Sequence, residues 1–87
     1  MTTESPSVNL NALAVDQSAT ISHVDWPSLD DATARRLQEF GVDEGISVQM
    51  LHHGPLGRDP IALRVGRMTI ALRRSQAMAI SVVPPRP

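Results

Sequence analysis

An 87-residue chain without cysteine has room for one small domain, and it cannot use disulfide bonds or thiolate metal ligands to stabilise that domain. A formal net charge of −1, the absence of lysine and the presence of just two aromatic residues, Trp26 and Phe40, argue against a nucleic-acid-binding surface. No apolar run approaches the roughly 20 residues that span a bilayer, so contact with a membrane is expected only through a partner.

Both ends of the chain differ in composition from its middle. Residues 1–9 are rich in polar side chains, and residues 84–87 read Pro-Pro-Arg-Pro, which cannot continue a hydrogen-bonded element. We therefore expect a flexible N-terminal tail at 1–9, a folded domain at 10–83 and a proline-rich tail at 84–87. The first residues lack the apolar stretch of a signal peptide, and nothing indicates an oxidising compartment, so the expected location is the cytoplasm.

The first half of the domain predicts a short strand followed by a helix. Leu10, Leu13 and Val15 are spaced as one apolar edge of an opening segment, and alternation over 19–24 predicts the strand. Ser28 stands three residues before an aspartate, as in an acidic version of the capping box, so we expect Ser28 to begin the helix.

Alternating apolar residues predict further strands in the second half. Gly41 is placed to end the helix in the left-handed conformation, and Gly66-Arg67 between two alternating runs predicts a tight hairpin. One helical turn is expected at 74–78. The strand predictions are 46–51, 61–65, 68–72 and 79–83.

Together these elements predict a mainly β fold. About five short strands and one short helix favour a small antiparallel barrel, because closure removes the exposed strand edges that invite aggregation. A domain of this size leaves little room for an enclosed active site beside its core. The realistic sites are shallow and lie on the surface.

His52 and His53 are the candidate metal ligands, with His23 or an aspartate (Asp25, Asp43 or Asp59) as a further donor if the fold brings them together. Adjacent residues on a strand point to opposite faces, so two neighbouring histidines do not easily chelate one ion. No cofactor is required on this interpretation. Weak binding of Fe²⁺ or Zn²⁺, bridging two molecules in a weak homo-oligomer, remains the open alternative.

Catalysis has no support in the sequence. The serines, histidines and aspartates lie in no recognisable elbow or triad context, and the glycines form no phosphate-binding loop. The chain is expected not to be an enzyme.

A partner-binding surface is the better-supported prediction. Leu56 lies in a glycine-rich loop, where an apolar side chain has little local core to enter, although it has the option of packing on Trp26. We place Trp26, Leu56 and Arg58 beside a groove for a partner. Other arginines, at 35, 36, 73 and 74, have the charge to pair with acidic groups but are also normal on a soluble surface.

Three segments resemble the FeoA family, the small cytosolic component of bacterial ferrous iron uptake. Residues 36–48, RLQEFGVDEGISV, are similar to its pattern rLxelGlxpGxxV; residues 57–61 resemble its gdPi turn, and residues 69–82 its ending ialrxxeAxxixV. The resemblance covers about residues 10–83. Two turn positions depart from the pattern, since Asp16 stands where glycine is usual and Glu44 where proline is frequent.

This resemblance implies an SH3-like barrel that works as an accessory or regulator of FeoB, the membrane GTPase that carries ferrous iron inward. The alternative from another class is a divalent-metal-binding protein that uses His52, His53 and carboxylates. An unrelated SH3-like adaptor for proline-rich peptides is disfavoured, because such grooves are lined with aromatic residues.

Overall fold

A computed structural model describes residues 6–85, in which six antiparallel strands form one strongly bent sheet. The strands are β1 (Val8–Asn9), β2 (Ser18–Val24), β3 (Ser47–His53), β4 (Ile61–Val65), β5 (Met68–Leu72) and β6 (Ile80–Val83). Their order in the sheet is β1-β6-β2-β3-β4-β5. The sheet is barrel-like but open, because its edge strands β1 and β5 do not pair with each other.

The helices of the described residues are short. They are α1 (Asp31–Glu39) and α2 (Arg74–Ala77), with two 3-10 turns at Leu10–Ala12 and Trp26–Ser28. None of the helices within residues 6–85 has the length and apolar character needed to cross a bilayer. The helical turn predicted at 74–78 is α2, so that expectation is confirmed.

The fold begins two residues before the predicted start of the domain at residue 10. Val8 and Asn9 form β1, which pairs with Val82 and Ser81 of β6 and brings the strand number to six instead of about five. The Asn9 side chain donates to the carbonyl oxygen of Met78 at 2.9 Å. Of the predicted tails, residues 1–5 and 86–87 lie outside the described part of the chain.

One apolar face of the sheet forms the core. Alternate residues of the strands point inward, and Leu10, Leu13 and Leu37 cover the interior from outside the sheet. Val15 is different: 49% of it is exposed, because it lies in a turn in which Asp16 has a positive φ of 71°. Aspartate tolerates this conformation better than most residues, which explains how it stands at a position where glycine is usual.

Helix α1 is capped by Asp30, so the expectation that Ser28 caps it is wrong. The Asp30 carboxylate accepts the backbone N–H of Thr33 at 3.2 Å and its hydroxyl at 2.6 Å. Ser28 is part of the preceding 3-10 turn and donates to the Asp25 carbonyl at 2.8 Å. Gly41 follows the helix with φ 82°, which confirms its predicted role.

The β4–β5 hairpin has the predicted two-residue turn. Val65 pairs with Met68, and Gly66 has a positive φ of 60°. Glycine at the first turn position is typical of the two-residue hairpin turns whose backbone twist matches the right-handed twist of the flanking strands. On the other side of β4, the pairing with β3 shifts between Met50 and His52, so Leu51 is an extra residue that bulges from the ladder.

We predict that Asp30→Ala lowers the urea midpoint of unfolding at neutral pH and that Ser28→Ala, the matched control, changes it much less. The Thr33 hydroxyl and then its N–H lower the pKa of Asp30 below its ordinary value of 3.8, because both donate to the charged carboxylate. The cap therefore stabilises the fold fully above pH 3.8 and loses this effect as the pH falls through the lower pKa of the folded state.

Urea unfolding of the three proteins from neutral pH into acid measures both effects. The difference between wild type and Asp30→Ala should shrink in acid. Equal midpoints for the two variants at neutral pH would contradict the assignment of the cap.

Candidate partner-binding surface

The loop between β3 and β4, residues 54–60, is held closed at its base. The backbone N–H of Gly54 donates to the Pro60 carbonyl at 2.7 Å. A side chain at Gly54 would collide with the backbone carbonyl of Asp59, so only glycine fits there without displacing the loop. At the tip, Gly57 and Arg58 both have positive φ, of 64° and 63°. The chain therefore reverses sharply at Arg58.

The loop is attached to the start of α2. The Asp59 carboxylate accepts the backbone N–H of Arg74 at 3.0 Å and lies 3.7 Å from Nε of Arg73. The Arg74 guanidinium in turn donates to the Gly57 carbonyl at 2.9 Å. These contacts fix the loop beside the residues that directly follow β5.

An exposed mixture of apolar and cationic groups results. Leu56 is 82% exposed, so it does not fold back into the core, and Met78 is 66% exposed. Arg58 and Arg74 line a shallow depression of about 370 Å³ together with Met78 and three residues of the N-terminal segment, Asn9, Asn11 and Ala12. No carboxylate lines this depression in the described chain. The surface is suited to an acidic partner segment that carries an apolar side chain.

Trp26 does not line the depression beside Arg58. It is half-buried, packs against the core and lines a different depression together with residues of α1 and of the segment that follows it, among them Gln38 and Asp43. Arg58 and Trp26 therefore share no depression. The partner-binding roles of Trp26, Leu56 and Arg58 stay predictions.

Met78 and the two asparagines were not predicted from the sequence, whereas Arg74 was named there among the arginines with the charge to pair with acidic groups. Asn11 donates through its amide to the Arg74 carbonyl at 3.1 Å, which ties the N-terminal segment to α2. These residues are more than 60 positions apart, and the pairing of β1 with β6 brings them together. Of these residues, Met78 had a signal in the sequence, because it is an apolar residue that directly follows the short helix α2. Its side chain is exposed in the structure.

The candidate metal ligands His52 and His53 differ in their surroundings, and their metal-binding role stays a prediction. His52 is exposed, whereas the ring of His53 is half-buried and its Nε2 lies 2.9 Å from the Leu13 carbonyl oxygen. Because a carbonyl only accepts, Nε2 carries the proton, and Nδ1 alone is left as a ligand. Across the described residues, no three histidine or carboxylate side chains come close enough together to hold a metal ion.

Comparison with known proteins identifies the family. The FeoA domain matches residues 8–84. A crystal structure of FeoA from Stenotrophomonas maltophilia in complex with zinc, described as a prokaryotic SH3 domain protein, is 37% identical, covers 86% of this chain and 88% of its own, and has a TM-score of 0.72. FeoA from Chlorobium tepidum is 28% identical over 88% of this chain and 70% of its own, with a TM-score of 0.77.

A manganese-dependent transcriptional repressor shares the fold alone. It is 20% identical, with a TM-score of 0.79 over 98% of this chain and 45% of its own. No curated protein matches the sequence. The match over residues 8–84 shows that this chain belongs to the FeoA family, which is associated with ferrous iron transport, and its bent antiparallel sheet is the SH3-like domain of that family.

Proposed function

We propose that the protein is an accessory or regulatory component of ferrous iron uptake that binds the cytosolic part of the membrane GTPase FeoB. It acts in the cytoplasm and reaches the membrane only through this partner. It neither carries iron nor hydrolyses nucleotide. The observation that carries the proposal is the surface around Leu56 and Arg58 in a chain of the FeoA family.

Several features of this surface support a protein partner. The depression beside Arg58 is shallow, whereas small-molecule sites enclose most of their ligand. Exposed apolar side chains next to arginines are typical of the anchors of protein interfaces. The hydrogen bonds of Asp59 and Arg74 hold the loop 54–60 in place before binding. Binding therefore costs little conformational entropy of the loop.

The hydrogen bonds of the described residues also support a role without catalysis. A serine nucleophile requires a histidine base within hydrogen-bond reach. In residues 6–85 the ring of His53 contacts the Leu13 carbonyl and the ring of His23 contacts Glu44 at 3.6 Å. No histidine ring within residues 6–85, that of His52 included, makes a hydrogen bond to a hydroxyl group.

We predict that Leu56→Ala and Arg58→Ala each weaken binding to the FeoB cytosolic domain by about tenfold or more, as expected for anchor residues. Titration of this protein with the FeoB domain, with and without guanine nucleotide and Fe²⁺, measures the effect. Val15→Ala and Arg35→Ala are matched controls, because they remove an exposed apolar and an exposed cationic side chain that belong neither to the loop 54–60 nor to the depression.

Saturable binding that both loop variants leave unchanged would show that this surface is the wrong one. The absence of binding under every condition, also to full-length FeoB in membranes, would contradict the proposal and favour the metal-binding alternative.

Divalent-metal binding is the second candidate, and the zinc complex of the Stenotrophomonas maltophilia protein favours it. In this chain His52 is exposed and His53 retains Nδ1, so one molecule supplies two nitrogen ligands at most from this pair. Zinc in stable protein sites takes four ligands, or three with an open position. A site of high affinity therefore needs donors from a second copy of the chain.

We predict that calorimetric titration of the metal-free protein with Zn²⁺ gives weak binding, on the order of millimolar, and that His52→Ala weakens it further. Sedimentation with and without Zn²⁺ shows whether two copies associate. Sub-micromolar binding that depends on pH and is abolished by replacing the histidines would instead make metal binding the leading function.

A further inference from the structure

The open sheet leaves β5 with a free edge. β5 is the last strand of the sheet order, and within residues 6–85 it pairs only with β4. The other edge strand, β1, has two residues, whereas β5 has five. An edge of this length presents unpaired backbone groups on which another extended chain can add a strand.

The register of the hairpin shows which groups of β5 face outward. Val65 and Met68 flank a two-residue turn and therefore exchange hydrogen bonds, and along an antiparallel ladder such pairs alternate with unbonded ones. The backbone groups of Thr69 and Ala71 consequently point away from β4. One contact supports this assignment, since the Arg36 guanidinium of α1 donates to the Ala71 carbonyl at 3.2 Å.

Thr69 and Ala71 are both exposed. With the Ala71 carbonyl occupied by Arg36, three outward groups remain for a partner: the N–H and carbonyl of Thr69 and the N–H of Ala71. No other residue of the described chain covers them with a backbone hydrogen bond.

Arginines surround this edge. Arg67 and Arg73 stand directly before and after β5, Arg64 pairs across the ladder with Thr69, and Arg36 reaches over from α1. Among residues 6–85 only Arg73 has a carboxylate partner, Asp59. A row of like charges opposes the pairing of two β5 strands from two copies of this chain and attracts a segment of opposite charge.

We propose that the free edge of β5 binds an extended, acidic segment of the protein partner, which adds to the sheet as a further strand. The inference rests on the proposed function and names what the barrel binds. Thr69 and Ala71 supply the backbone hydrogen bonds, while Arg36, Arg64 and Arg67 pair with carboxylates of the segment. Beyond Leu72 the segment reaches Arg74 and the loop that carries Leu56 and Arg58, since these contact each other directly after β5.

Thr69→Pro tests the inference with the FeoB cytosolic domain as the probe. Proline removes the outward N–H of residue 69 and blocks strand addition, yet it spares the bonds between β4 and β5 and is tolerated on an edge strand. We expect binding to weaken by about tenfold or more, as for the loss of hydrogen bonds and steric fit at an interface. Thr69→Val keeps the N–H and is the matched control, with binding close to that of wild type.

Arg67→Glu tests the role of charge, because it should weaken binding and reduce the dependence of binding on salt concentration.

A second measurement, on the wild-type protein, keeps the inference testable if the proline variant fails to fold. Amide hydrogen exchange at Thr69 and Ala71 should slow by about tenfold or more when the FeoB domain is bound, because both N–H groups become hydrogen-bonded.

The outcomes separate the two proposals. If the wild-type protein binds the FeoB domain while the amides of Thr69 and Ala71 stay unprotected, the strand-addition inference is overturned and the proposed function stands. If Thr69→Pro folds and binds as tightly as Thr69→Val, the inference is overturned as well. If the wild-type protein does not bind at all, the proposed function fails and the inference fails with it.

Discussion

The antiparallel register of β3, β4 and β5 determines both the interior and the surface of this domain. Met50, Leu63 and Ile70 lie side by side across the three strands and are buried. A slip of one residue would turn every one of these side chains outward. The same register directs the backbone groups of Thr69 and Ala71 toward the free edge, so the core and the proposed docking edge follow from one pairing.

Most of the fold was predictable because its signals are local. The hairpin at Gly66-Arg67 and the helix end at Gly41 depend on neighbouring residues alone. β1 was not predictable, because Val8 and Asn9 become a strand only through a partner strand more than 70 residues away. The helix cap was ambiguous from local sequence, because serine and aspartate both favour capping. Ser28 belongs to the 3-10 turn Trp26–Ser28, so Asp30 is the residue at the helix start.

The candidate site was predictable in part for the same reason. The exposure of Leu56 follows from a loop composition that gives it no core to enter. Trp26 and Arg58 line different depressions, and Asn11 approaches Arg74. Both features depend on how distant strands pair, and neither has a local signal in the sequence. For the histidines, the alternation of side chains along a strand already indicated that His52 and His53 point apart. The structure adds that Nε2 of His53 is hydrogen-bonded to the Leu13 carbonyl, which removes one further ligand atom.

The loop 54–60 contacts the start of α2, which directly follows β5. We propose that the FeoB cytosolic domain binds along these elements. Chemical-shift mapping of the isotope-labelled protein during titration with this domain tests this proposal. We expect saturable shifts at Arg58, Arg74 and Met78 and along Thr69 to Ala71. The absence of shifts at these residues at saturating partner concentrations would contradict the proposal.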